Sequence, residues 1–194
     1  MNTKTPTLNK ELRQRVLAGE SKSAIYRDYN GTALEKQAAR SLALVATPEN
    51  RRAYTPLNRL LLFLVGFLTL FQLYVIIFIL FPTLPLPARV VVLGVSCLVN
   101  FTVLYLIATF NIFGCFLFIV FALRGMSQLM ENFKVYFQPG LDLPTHLLIL
   151  DCANGLCLIA SVVLSFLLLR KLFPKTSFFL SPKRDAAGNP IFEN

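Results

Sequence analysis

A chain of 194 residues, 55% of them hydrophobic and only 15% charged, is too apolar for an ordinary soluble domain. Its mean hydropathy is +0.61, and its formal net charge of +9 sits at the two ends. Residues 1–59 hold eleven Lys and Arg against five Asp and Glu, residues 170–194 hold five against two, and the stretch between is neutral. A basic surface spread over a globular body is thereby excluded, and the expectation is an all-α integral membrane protein with cationic ends.

Residues 1–56 form the first element, a hydrophilic arm. Leu8, Leu12 and Val16 recur at helical spacing, and Gly19 interrupts the pattern. A short helix is expected from about Ser21 with Ile25 and Tyr29, followed by an Asn30-Gly31 turn. Thr32 and Glu35 have the spacing of a capping box. The helix they would open places Leu34, Ala38, Leu42 and Val45 on one face before Thr47-Pro48 ends it. Three short amphipathic cytoplasmic helices are therefore expected. The words "VLAGESKSAIYRDY" resemble the opening of helix-turn-helix DNA readers, which would imply a membrane-tethered regulator. The would-be recognition helix offers only Lys36, Gln37 and Arg40 for contact, so nucleic acid is not the favoured partner.

Four membrane spans are expected across residues 57–173, since a crossing needs about 20 apolar residues. Leu60 to Phe81 is uncharged and stops at Pro82, Pro85 and Pro87. It begins too late for a cleavable secretory signal. Residues 90–123 form an uncharged run of 34. As one straight helix that run would reach about 51 Å, so it must break. Asn111 and Gly114 mark the break, giving spans at about 87–109 and 112–130. The last span covers about 147–169 and ends at Arg170 and Lys171. An even count puts Arg51, Arg52, Arg59, Arg170, Lys171 and Lys175 on one side, as cytoplasmic flanks require. Both termini are therefore expected in the cytoplasm.

Two ionisable residues fall inside these spans, Arg124 and Asp151, each about 9 Å below the outer end of its helix by helical rise. Adjacent antiparallel helices would bring them together as an ion pair, and pairing would offset the roughly 2.5 to 3.5 kcal/mol that each central charge costs. Asn154, one turn from Asp151, and Asn100 on the second span would extend a polar seam. The seam reads as a helix-to-helix clasp, or alternatively as a path for protons, ions or a solute. Gly155 with Ala160, and Gly94 with Ser96, are candidate close-packing residues.

The remaining residues are less informative. Cys97, Cys115, Cys152 and Cys157 lie in apolar stretches, without zinc or disulfide spacing. His146 is expected at the outer interface. No nucleotide-binding Gly loop, nucleophile elbow or metal cluster occurs, so neither a catalytic constellation nor a cofactor is expected. The tail, 174–194, is expected along the interface through Phe178, Phe179 and Leu180. Its "KLFP" and "SPKRDAAGNPIF" are similar to tails of uncharacterised bacterial multi-span inner-membrane proteins, a resemblance that implies no activity. The expected role is that of a structural or interaction component, with lipid, anionic lipid at the inner face, and a second copy or another membrane protein as partners.

Overall fold

The computed structural model describes residues 5–137, 145–176, 181–186 and 188–192. Among these there is no strand, only two isolated bridges in the tail. Seven α-helices follow one another: α1 (Thr5–Leu17), α2 (Lys22–Arg27), α3 (Glu35–Ala43), α4 (Pro48–Tyr74), α5 (Leu86–Ala108), α6 (Ile112–Tyr136) and α7 (Thr145–Leu172). Four helices are long and apolar enough to cross a membrane, as expected. Large apolar side chains stand exposed along them, for example Phe63, Leu98, Phe101 and Leu156. Such a surface suits hydrocarbon and not water.

The chain divides into two compact units. The first gathers Met1–Pro56, Phe110–Ile112 and Leu168–Asn194. Its core is Leu8, Leu12, Val16, Ile25, Ala38 and Leu42, all buried, one stripe from each of α1, α2 and α3. Gly19, at φ +95°, closes α1, its N–H bonding to Val16 O and that of Glu20 to Arg15 O. Ser21 caps α2 by accepting from Ala24 N–H at 3.2 Å. Arg15 bridges Glu20 and Asp28 at 2.7 and 2.8 Å, which ties the turn to both helices.

The start of α3 departs from the expected capping box. Its first helical residue is Glu35, and the N-cap is Leu34, with no side-chain cap bond, in place of Thr32. The Glu35 carboxylate accepts from Tyr26 Oη at 2.6 Å and from Gly31 N at 3.0 Å. Gly31 sits at φ +74°, which aims its N–H back at that carboxylate. The helix is thus tied to α2 and to the turn at once. The tyrosine hydroxyl and the amide hold the Glu35 carboxyl below the ordinary carboxylate range, and burial followed by Glu35 pushes the Tyr26 hydroxyl up.

The tail joins the same core. Phe192 packs against Tyr26 with the rings tilted by 52° and their centroids 5.3 Å apart, and Thr176 Oγ1 donates to Ala43 O at 3.0 Å. Bridges Thr176 to Pro182 and Arg184 to Pro190 fold it back on itself, around a turn with Gly188 at φ +86°. The interfacial role expected of Phe178, Phe179 and Leu180 lies outside the described residues. Arg51 in α4 places its guanidinium over the Phe110 ring at 5.7 Å.

The second unit is Leu57–Thr109 with Phe113–Leu167. The helix carrying the first span starts at Pro48, well before the expected Leu60, because Pro suits the first turn and the polar stretch after it continues the helix. The helix departs from α geometry after Tyr74, becoming a π-helix over Val75–Leu80 and a 3-10 turn over Phe81–Thr83. Pro82 has no N–H for Phe78 O and its ring crowds that carbonyl, so the preceding turn widens. The 34-residue run does break at 109–111, but the left-handed residue is Phe110, at φ 53°. Gly114 lies inside α6, where an added Cβ would stand 2.6 Å from Ile107 N and 2.7 Å from Leu106 C. Its role is close approach of two helix backbones, not the turn itself.

Candidate functional site

Asp151 lies in the second turn of α7, half-buried. Its Oδ2 accepts from Tyr136 Oη at 3.0 Å and from Asn132 Nδ2 at 3.5 Å, both on α6. Gln128 Nε2 donates in turn to Asn132 Oδ1 at 3.4 Å. Tyr136 and Asn132 thus tie α6 to α7 through Asp151.

The expected Arg124–Asp151 ion pair does not form. An added Cβ on Gly125 would meet Leu158 Cδ2 at 3.4 Å and one on Gly155 would meet Leu129 Cδ2 at 2.7 Å, while Asn132 reaches Asp151. These three pairs fix one antiparallel register, in which Arg124 stands level with Ile159 and Ala160, about 12 Å from Asp151 along the axis. Arg124 is also rotated by about 100° from Gly125 around α6, off the face turned to α7. Its side chain is exposed. The shared depth fails because α6 runs on to Tyr136, six residues past the expected end at Met130, with Lys134 bridging Glu131 at 2.7 Å in its last turns.

The other seam residues divide. Asn100 on α5 donates to Gln72 Oε1 on α4 at 3.1 Å and to Ser96 O at 2.9 Å. Asn154 makes no hydrogen bond among the described residues and lines a cavity of about 280 Å³ in this unit. Gln72, Asn100, Gln128, Asn132 and Asp151 line the same cavity, as do Val65, Leu68, Phe71, Phe118, Phe121 and Leu158. So Asp151, Asn154 and Asn100 share one space, and Arg124 does not enter it. No Lys, Arg or His lines it.

Sequence reasoning missed Gln72, Tyr136 and Asn58. Gln72 is the only amide between Leu60 and Phe81, a visible signal. Asn58, buried at 4% exposure, donates to Ile107 O at 3.2 Å and so satisfies a carbonyl in the last turn of α5.

The close-packing residues also need correction. Gly155 is buried and Ala160 exposed, while an added Cβ on Gly94 would meet nothing within 4 Å. The buried stripe of α7 within this unit is Gly155, Leu158, Ser161 and Ser165. Among the described residues no group of three His, Cys, Asp or Glu is placed to hold a metal ion. The arrangement is thus one carboxylate and several amides around an apolar space, suited to holding a molecule or joining helices. No protein-family model, curated protein or solved structure matches this chain.

Proposed function

We propose that the chain is a multi-pass protein of the bacterial inner membrane that serves as a structural or protein-interaction component, with the unit built from its two ends as its cytoplasmic contact module. The observation that carries this reading is the joining of arm and tail, Phe192 on Tyr26 and Thr176 on Ala43. Segments that touch share a compartment, and four crossings return the chain to its starting side. The cationic residues bordering the apolar helices favour the cytoplasm and its anionic lipids for that side. The three-helix arm then stands in the cytoplasm with its own apolar core, supplying a folded surface where a simple anchor needs none. Cross-linking in native membranes tests the reading. It predicts a stoichiometric partner, or a second copy, joined to residues 1–56 and lost in the Tyr26→Ala, Phe192→Ala double variant. A chain that inserts correctly and cross-links to nothing would contradict it.

The cavity favours a second reading, passage of an ion or small solute past Asp151. Flux in proteoliposomes that disappears in Asp151→Asn would support it, and equal leak in vesicles with and without the protein would refute it.

A further inference from the structure

The bundle cavity has an unbalanced inventory of hydrogen-bonding groups. Asp151 Oδ2 is engaged by Tyr136 and Asn132, whereas Oδ1 has no partner among the described residues. Asn154 is likewise unengaged, and the lining contains no cationic side chain. Of the cations on α6, Lys134 pairs with Glu131 at 2.7 Å, and Arg124 is on another face and two turns away. A carboxylate facing an apolar space without a counter-charge is costly, and a guest cation offsets that cost.

The rest of the wall narrows the guest. Phe71, Phe118 and Phe121 offer apolar and aromatic surface, which a cation with a hydrocarbon body uses and a bare ion does not. A divalent metal asks for more charged oxygen ligands than one carboxylate. An anion meets the Asp151 charge. The volume of about 280 Å³ lies just under the range of drug-sized pockets, about 300 to 1,000 Å³, so the guest is small.

We propose that this cavity binds a small organic monocation carrying N–H donors, an alkyl- or arylalkylammonium. Asp151 supplies the counter-charge, Asn154 a hydrogen-bond acceptor, and the phenylalanines hold the hydrocarbon part. The proposal deepens the second reading above by naming the class of solute. Binding is measured without flux, so transport can fail while the site stands.

The test uses the full chain in nanodiscs of zwitterionic lipid, with benzylammonium as probe and benzyl alcohol as its neutral counterpart, followed by calorimetry or equilibrium dialysis. The expected result is saturable binding of one equivalent of benzylammonium, with the alcohol weaker by about tenfold or more. Asp151→Asn should lower affinity for the cation to that of the alcohol. Arg124→Gln, at a residue that does not line the cavity, should stay within about threefold of the parent. Leu68→Trp, which fills the cavity without touching the charge, should abolish binding. No saturable binding by the parent chain, equal affinity for amine and alcohol, or undiminished binding in Leu68→Trp would each overturn the proposal. Should Asp151→Asn fail to fold, the alcohol comparison and Leu68→Trp still decide.

Discussion

Gly114 and Gly94 are both helical glycines, and the physics assigns them opposite fates. Replacing a helical Gly by Ala gains up to about 1 kcal/mol of propensity. At Gly94 nothing lies within 4 Å, so the gain should appear. At Gly114 the new methyl meets the backbone of Leu106 and Ile107, and a backbone cannot step aside as a side chain does. Overpacking there should cost about 1 to 3 kcal/mol and outweigh the propensity. Unfolding by SDS in mixed micelles should therefore shift to higher SDS for Gly94→Ala and to lower SDS for Gly114→Ala; equal shifts would show that the close approach is absent. Asn58→Ala should also destabilise, by about 1 to 3 kcal/mol, since it removes the buried side-chain donor that ties α4 to the Ile107 carbonyl. The same unfolding titration reads it, and an unchanged midpoint would mean the bond contributes nothing. Neither Gly114's packing role nor Asn58's partner was legible in sequence, because each depends on a residue of another helix. Asp151 was legible as a charge in an apolar run. Its partners were not, because their assignment needed a register.

That register turned on element ends, which are the least legible feature of a helix. The span after the reversal was expected to stop at Met130, yet Glu131 and Lys134 pair at one-turn spacing and let the helix run to Tyr136. Six more residues moved Arg124 two turns deeper relative to the outer end and broke its match with Asp151. In the arm, Leu8, Leu12 and Val16 of α1 are buried. The start of α3 was misplaced because Glu35 serves Tyr26 and Gly31 and not the Thr32 amide. That contact is pH-sensitive. The folded state holds the Glu35 carboxyl below its ordinary range, so its contribution to arm stability is present above the ordinary Glu value of about 4.3 and is lost as pH falls through the lower folded value. Glu35→Gln should therefore melt earlier than the parent at pH 7, followed by circular dichroism of the arm helices. The gap should narrow as the pH is lowered past the carboxylate range. A gap that stays constant would show that the carboxylate charge plays no part. At the alkaline end the raised Tyr26 hydroxyl works in the opposite direction, its contribution being lost as pH climbs above the ordinary tyrosine value of about 10.

At the scale of the whole chain, hydrophobic run length made the four apolar helices legible. A segment of 34 uncharged residues is too long for one crossing, and it does reverse at Phe110. The association of the two ends was not legible, because Phe192 and Tyr26 are separated by nearly the entire sequence and nothing in either stretch names the other as its partner. Four crossings, as proposed, would leave both ends on one face and free to meet. Fusion reporters at residues 1 and 194, one active only in the cytoplasm and one only outside it, test that proposed placement most directly. Cytoplasmic signal from both ends is the predicted result. Signals from opposite faces of the membrane would contradict the four crossings and the contact between arm and tail together.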